Sequence, residues 1–327
     1  MGIKKILAIL PLCAVILAAG CTARERDVNV SAAASPEISQ EEPAAAPALP
    51  QRAPETPLPP DKNTGQSITA DETDTQAENN GAADEPAQPV LEEAPDIDSL
   101  SAAKVKWGAS PRMNADGRPE ESAGLQQKYG GMGALFLAPN NNKIYLTFDE
   151  GYENSYTPDI LDTLREKKVS AVFFITHQYA RTQPELVRRM VEEGHILGNH
   201  STAHKSFPAL SHEEAAEDIM TLHNYVKANY GYTMSLFRPP MGEFSEQTLA
   251  LARSVGYTTV LWSFAYADWD RDNQPISIQA LDTINKRAHN GAVMLLHAVS
   301  KTNADILNEV IDTLRGRGFE FARLDWL

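Results

Sequence analysis

His200 and His204 stand four residues apart in His200-Ser201-Thr202-Ala203-His204. On one turn of backbone both imidazoles can face a single metal, and imidazole suits zinc or a similar divalent transition ion. Asp149 and Glu150 are neighbours in the chain. Two adjacent buried carboxylates repel unless a cation lies between them, so the pair could supply a third ligand and a general base, or it could be a solvated strand end. His297 closes the apolar run Val293-Met294-Leu295-Leu296; a histidine there is either a satisfied core residue or a catalytic acid fixed by its surroundings. Arg238-Pro239-Pro240-Met241-Gly242 is stiff, because proline fixes φ and removes donors. It is either a simple turn or a loop whose Met241 and Gly242 N–H groups serve as oxyanion donors. Asp268-Trp269-Asp270 joins carboxylates to a flat ring suited to a sugar face. His177, His195, His212, His223 and His289 read as structural or surface residues. The chain has no Gly-x-Ser-x-Gly elbow and no glycine-rich phosphate loop at a strand–helix turn, which argues against the usual serine hydrolase and nucleotide chemistries. Asp149 and Glu150 are too close together to flank a glycosidic bond as a glycosidase pair must.

The elements that must position these residues alternate. Short apolar runs at 143–149, 171–176, 195–198, 236–238, 258–262, 292–297 and 320–323 read as strands. Helical spacing separates them: after Thr157-Pro158, with Ile160, Leu161 and Leu164 on one face; over 184–193, stopped by Gly194; from a capping box at Ser211-His212-Glu213-Glu214 through Val226; and over 245–255, 278–288 and 304–314. Seven strands interleaved with six helices imply a parallel α/β architecture, as an open sheet or a closed barrel. The polar residues collect where strands end, with Asp149, Glu150, His200, His204, Arg238, Asp268 and His297 all at or just past carboxyl ends. In α/β barrels that is the catalytic face.

Composition divides the chain of 327 residues. All 24 aromatic residues lie at or after Trp107, and 11 of the 21 prolines fall between Pro36 and Pro95. Residues 22–100 carry 17 acidic and 4 basic side chains, whereas residues 101–327 carry 27 and 23. The acidity therefore belongs to a segment that cannot bury enough apolar surface to offset its ordering entropy. As a coil it would span about 50 Å, and as polyproline about 250 Å. The folded part lacks the clustered positive surface of a nucleic-acid binder. Lys4 and Lys5 precede a run of about 14 apolar residues, short for a membrane span but right for an export signal. It ends Leu17-Ala18-Ala19-Gly20-Cys21, which resembles a bacterial lipobox with Cys21 as the lipidated residue. No cysteine follows Cys21, so an exported domain here folds without a disulfide.

Taken in order, Thr147-Phe148-Asp149-Glu150-Gly151-Tyr152, His200-Ser201 with His204, Arg238-Pro239-Pro240 with Gly242, Asp268-Trp269 and Leu295-Leu296-His297 resemble the polysaccharide deacetylase family. Their wording is most similar to the subgroup of de-N-acetylases that lead to muramic δ-lactam. The resemblance implies a distorted (β/α) barrel of about seven parallel strands. It also implies roles: Asp149 the general base, oriented by Arg238; His200 and His204 metal ligands; His297 the general acid, tuned by Asp268; the Met241 N–H an oxyanion donor; and Leu295, Trp269 and Tyr152 substrate contacts. Glu150 stands where the family usually has an aspartate metal ligand, and Ala265 replaces another aspartate. Four parts are expected: from composition a lipoprotein-type signal over 1–20 and a disordered linker over 21–100, and from the resemblance an N-terminal extension over 101–142 and a deacetylase domain over 143–327. The implied activity is metal-assisted de-N-acetylation of peptidoglycan amino sugars, with zinc the divalent ion that suits the ligands. The muramic residue is the expected substrate; an N-acetylglucosamine deacetylase and a glycan-binding pseudoenzyme are the alternatives. The expected location is the outer face of the cytoplasmic membrane through a lipid, or secretion, with the protein acting as a monomer.

Overall fold

The computed structural model describes residues 96–326. The expected signal segment, Cys21 and nearly all of the 21–100 linker lie outside the described residues. In chain order the elements are β1 (Val105–Lys106), α1 (Glu120–Tyr129), β2 (Ala134–Leu135), β3 (Lys143–Glu150), α2 (Thr157–Lys167), β4 (Val172–Ile175), α3 (His177–Thr182), α4 (Pro184–Glu192) and β5 (Ile196–Asn199). They continue with α5 (His212–Tyr230), β6 (Leu236–Phe237), β7 (Glu243–Phe244), α6 (Glu246–Ser254), β8 (Thr258–Val260), α7 (Ser277–Arg287), β9 (Ala292–His297), α8 (Lys301–Gly316) and β10 (Glu320–Phe321).

β3 is the centre of the sheet, with β4 on one edge and β9 on the other, both parallel to it. Beyond β4 follow β5, β6, β8 and β2, and β10 joins the start of β3. All seven expected strands are present and parallel; β2, in the expected extension, is an eighth. Past β8 the chain turns back, and Phe264 bridges Met294 of β9. That bridge decides between the two architectures the periodicity allowed: the sheet curls into a half-barrel. Parallel strands covered on both faces read as unbroken apolar runs, and β3 is buried at every residue from Ile144 to Glu150.

Alternation along β3 sorts these residues into two layers. Ile144, Leu146 and Phe148 join the cluster formed with the helices, including Ile160, Leu161 and Leu164 of α2. Tyr145 joins Val172, Phe174, Val260 and Val293 in the smaller cluster inside the curl. The capping box at Ser211 and Glu214 opens α5 as expected. Two helix starts differ. α2 begins at Thr157 itself, with Tyr156 as its cap residue and no side-chain cap bond. α8 begins at Lys301, three residues before the apolar pattern, because the Ser300 side chain accepts from the Asn303 N–H.

The stretch before β3 packs onto the rest through Trp107, which is 6% exposed. Its ring N–H donates to the Trp262 carbonyl at 2.9 Å, and its edge meets Phe136 at 5.7 Å. Trp107→Ala should lower the free energy of unfolding by about 3–5 kcal/mol, read from urea denaturation. An unchanged midpoint would mean that this stretch contributes nothing to the stability of the barrel.

Candidate active site

Asp149 and His297 are register partners on β3 and β9, so the two carboxyl-terminal strand ends set them side by side. Arg238 follows β6, and His200 follows β5. One cleft of about 1270 Å³ is lined by Asp149, His200, His204, Met241, Leu295 and His297, with Tyr152, Trp262, Ala265 and Trp269 at its walls.

Arg238 has no solvent exposure. Its Nη1 donates to Asp149 Oδ1 at 2.7 Å, its Nε to the Val260 carbonyl at 3.0 Å and its Nη2 to the Leu261 carbonyl at 3.2 Å. The Phe174 ring lies 4.0 Å from the guanidinium carbon. Gly198 makes room for that ring, since a Cβ there would stand 2.3 Å from it. Burial alone would push the Asp149 carboxyl up, but the charge and hydrogen bond of Arg238, with the charge of His297, outweigh it and hold the group below the ordinary carboxylate value. Asp149 is therefore an ionised carboxylate at the mouth of the curl.

His297 Nδ1 stands 2.7 Å from Asp268 Oδ1, and the His297 N–H donates to Asp268 Oδ2 at 2.9 Å. A carboxylate partner fixes the proton on Nδ1 and leaves Nε2 for the cleft. Burial pulls the imidazolium down, but Asp268 and then Asp149 lift it above the ordinary imidazole value. Asp268 is itself 1% exposed and held by Asn303, whose Nδ2 donates to Asp268 Oδ2 at 2.7 Å and to the His297 carbonyl at 3.0 Å. Tyr266 donates to Asn303 Oδ1. The motif spacing held no sign of Asn303; the only local signal was Ser300 three residues earlier, the cap that starts α8.

The segment from His200 to His204 is not a helical turn. Ser201 and His204 have φ of 74° and 50°, a region that non-glycine residues enter only when the surroundings hold them there. The holders are Asn199 Oδ1, which accepts from Ser201 N–H at 2.9 Å, and Asp218, whose carboxylate accepts from the N–H groups of Thr202 at 2.7 Å and Ala203 at 3.0 Å. Asp218, too, was invisible in the motif spacing. The two imidazole rings lie 5.0 Å apart. His200 Nδ1 is 2.9 Å from the Arg238 carbonyl, which can only accept, so Nε2 carries the lone pair, 3.5 Å from Asp149 Oδ2. Burial brings His200 down to about 4, so it is neutral.

Glu150 does not join them. It continues the row of Ile144, Leu146 and Phe148, the layer that faces the helices, because neighbouring residues of a strand point to opposite faces. It is fully buried outside the cleft lining, and neither carboxylate oxygen has a hydrogen-bond partner among the described residues. Burial, then the charges of Glu153 and Asp149, push it well above the usual carboxylate range. Among the described residues no three His, Cys, Asp or Glu side chains come together to hold a metal. Of the expected ligand set, His200 and His204 face the cleft together, whereas Glu150 lies outside its lining.

The Arg238–Gly242 loop also differs in part from expectation. Gly242 N–H donates to the Pro239 carbonyl at 3.2 Å and is not available as an oxyanion donor. Met241, at φ 58°, is nearly half exposed on the cleft, and its N–H has no acceptor among the described residues. Leu295 is a buried part of the cleft wall. Trp269 and Tyr152 are 58% and 42% exposed at the rim, and Trp269 meets the His297 ring edge-on at 6.2 Å.

Residues 137–260 match the family model described as polysaccharide deacetylase. The chain is 42% identical over 223 residues to an uncharacterized 30.6 kDa protein of Geobacillus stearothermophilus. Over the same length it is 38% identical to the peptidoglycan-N-acetylmuramic acid deacetylase PdaA of Bacillus subtilis; each match covers 68% of this chain and 84% of the relative. The solved structure of Bacillus subtilis PdaA, a family 4 carbohydrate esterase, superposes with a TM-score of 0.66 at 36% identity, covering 69% of this chain and 97% of that one. Arriving together with the paired carboxylate and imidazole of the cleft, these matches establish that the chain belongs to the polysaccharide deacetylase family.

Proposed function

We propose that this enzyme hydrolyses the N-acetyl amide of peptidoglycan amino sugars, with the N-acetylmuramic acid residue as its substrate, releasing acetate and a free amine. The observation that carries this reading is the convergence of two differently tuned groups on one cleft: Asp149, whose carboxyl Arg238 at 2.7 Å holds below its ordinary value, and His297, whose proton affinity Asp268 at 2.7 Å raises. Amide hydrolysis needs both a base and an acid, with affinities for the proton set apart by their surroundings.

Asp149 takes a proton from a water molecule whose oxygen attacks the acetamide carbonyl carbon. The Met241 N–H is placed to donate to the oxyanion that forms. His297 passes its Nε2 proton to the departing nitrogen as the C–N bond breaks. The freed amine of a muramic residue can then condense with its own lactyl carboxyl group, forming the δ-lactam C–N bond as the carboxyl C–O bond breaks and one water is lost. Arg238 keeps Asp149 in place and ionised, Asp268 and Asn303 orient His297, and Leu295, Trp269 and Tyr152 border the acetyl group and the sugar ring. Deacetylases of this family depend on a metal in general. The side chains this chain would turn toward a divalent ion are His200 and His204, and the proton transfers above belong to the chain's own groups. The same active-site groups would serve an N-acetylglucosamine residue, and both proton-transfer groups being present argues against a binding-only module.

Peptidoglycan lies outside the cytoplasm, which agrees with an export signal over 1–20 and a lipid on Cys21, from which the 21–100 segment would let the 101–142 extension and the 143–327 domain, as a monomer, reach the wall. No described helix is long and apolar enough to cross a membrane.

Asp149→Asn should reduce acetate release from a muramic-containing oligosaccharide by about 10²–10⁴-fold while leaving binding of the glycan intact. Wild-type protein that binds without releasing acetate would instead support a binding module. The pH profile of kcat/KM should fall on the alkaline side with an apparent pKa above the ordinary imidazole value, because the acid must be protonated and Asp268 lifts its pKa. Asp268→Asn should move that limb to lower pH, since burial then acts on His297 with less opposition. A limb that stays in place would remove His297 from the role of acid.

A further inference from the structure

The proposed chemistry leaves one charged residue of the cleft without a task. Lys106 is the only Lys or Arg among the described residues that line the cleft. It is exposed, on β1, whose antiparallel pairing with β7 sets Val105 opposite Phe244 and Lys106 opposite Glu243. Glu243 is already engaged by Lys104, whose Nζ donates to it at 3.3 Å. Among the described residues the Lys106 ammonium makes no close ion pair or hydrogen bond, although its charge reaches Glu243 across the strand pair.

The strand that carries Lys106 is fixed against the catalytic loop. The N–H of the next residue, Trp107, donates to the Gly242 carbonyl at 2.9 Å, and its ring N–H to the Trp262 carbonyl at 2.9 Å. Gly242 has φ of 65°, and a Cβ there would stand 2.8 Å from the Trp107 carbonyl oxygen, so the two backbones meet at a distance only glycine permits. This ladder fixes the backbone that carries Lys106 at the wall of the same cleft as Met241. The other charges of the cleft are accounted for: Arg238 meets Asp149, and Asp268 meets His297.

We infer that Lys106 receives the carboxylate of an acidic amino sugar, the ether-linked lactyl group next to the acetamide that is hydrolysed, and so selects muramic over glucosamine residues. The inference rests on the deacetylase reading of the same cleft and adds to it the group that chooses the substrate. A lysine offers a point charge on a mobile stem, which suits a carboxylate that itself turns about an ether bond. The lactyl carboxylate takes no part in breaking the amide bond, so the influence of Lys106 falls on binding more than on the chemical step.

The test compares wild type, Lys106→Gln and Lys106→Arg on two soluble oligosaccharides, one with muramic residues bearing free lactyl carboxylates and one of N-acetylglucosamine alone. Lys106→Gln should lower kcat/KM on the first by about tenfold to a hundredfold, the range of one charge-assisted hydrogen bond, chiefly through KM, and stay within about twofold on the second. Lys106→Arg should recover most of the loss. Converting the lactyl carboxylate to a neutral amide should weaken wild type as the Gln variant is weakened. Equal losses on both oligosaccharides, or none on either, would overturn the assignment of Lys106 while leaving the deacetylase reading in place. Failure of wild type to release acetate from the muramic oligosaccharide would overturn that underlying reading as well.

Discussion

A guanidinium with no solvent exposure stands 2.7 Å from a carboxylate that opens on a cleft, and the rest of the site is arranged around that pair. Burying an ion pair is worthwhile only when its remaining hydrogen-bond groups are satisfied, and removing one partner leaves a stranded charge. Arg238 meets the condition through the carbonyls of Val260 and Leu261 and the face of Phe174. Those contacts come from β8 and β4, so the curl of the sheet is what makes them simultaneous. The same pair keeps Asp149 ionised inside the protein, where burial alone would protonate it.

The second proton-transfer group is built by the opposite device. His297 sits one strand away, in register with Asp149, and a buried carboxylate raises its affinity for the proton. Asp268, Asn303 and Tyr266 form a chain of hydrogen bonds from α8 and the loop after β8, and their shared object is the orientation of a single imidazole. A base pushed down and an acid pushed up, on adjacent strands, separate two roles that identical surroundings would merge.

Much of this was legible before any coordinates, because strands buried on both faces leave continuous apolar runs and their polar endings mark the catalytic face. Asp149, Arg238, Asp268 and His297 stood out for that reason, and the structure gathers them. Glu150 lies away from the cleft although it adjoins Asp149 in sequence, because a strand turns every second residue to the other layer. At Gly242 the turn reading holds, because its N–H closes the turn that the two prolines begin. Asn303 and Asp218 act through contacts across 35 and 16 positions of the chain, at a helix start and a helix side, and nothing in a local motif points to such partners. The isolated Phe264–Met294 bridge, which turns an open sheet into a curl, likewise joins segments whose periodicity was read separately.

The claim that everything else rests on is the opposed tuning of two neighbouring groups, and it can be observed without turnover. Residue-specific NMR titration of the Asp149 carboxyl carbon and the His297 ring nitrogens would follow each proton directly. The account requires Asp149 to titrate below the ordinary aspartate value of 3.8 and His297 above the ordinary histidine value of 6.5, with the His297 proton resident on Nδ1. An Asp149 that takes up its proton above that value, or a His297 that loses its proton below 6.5, would contradict it.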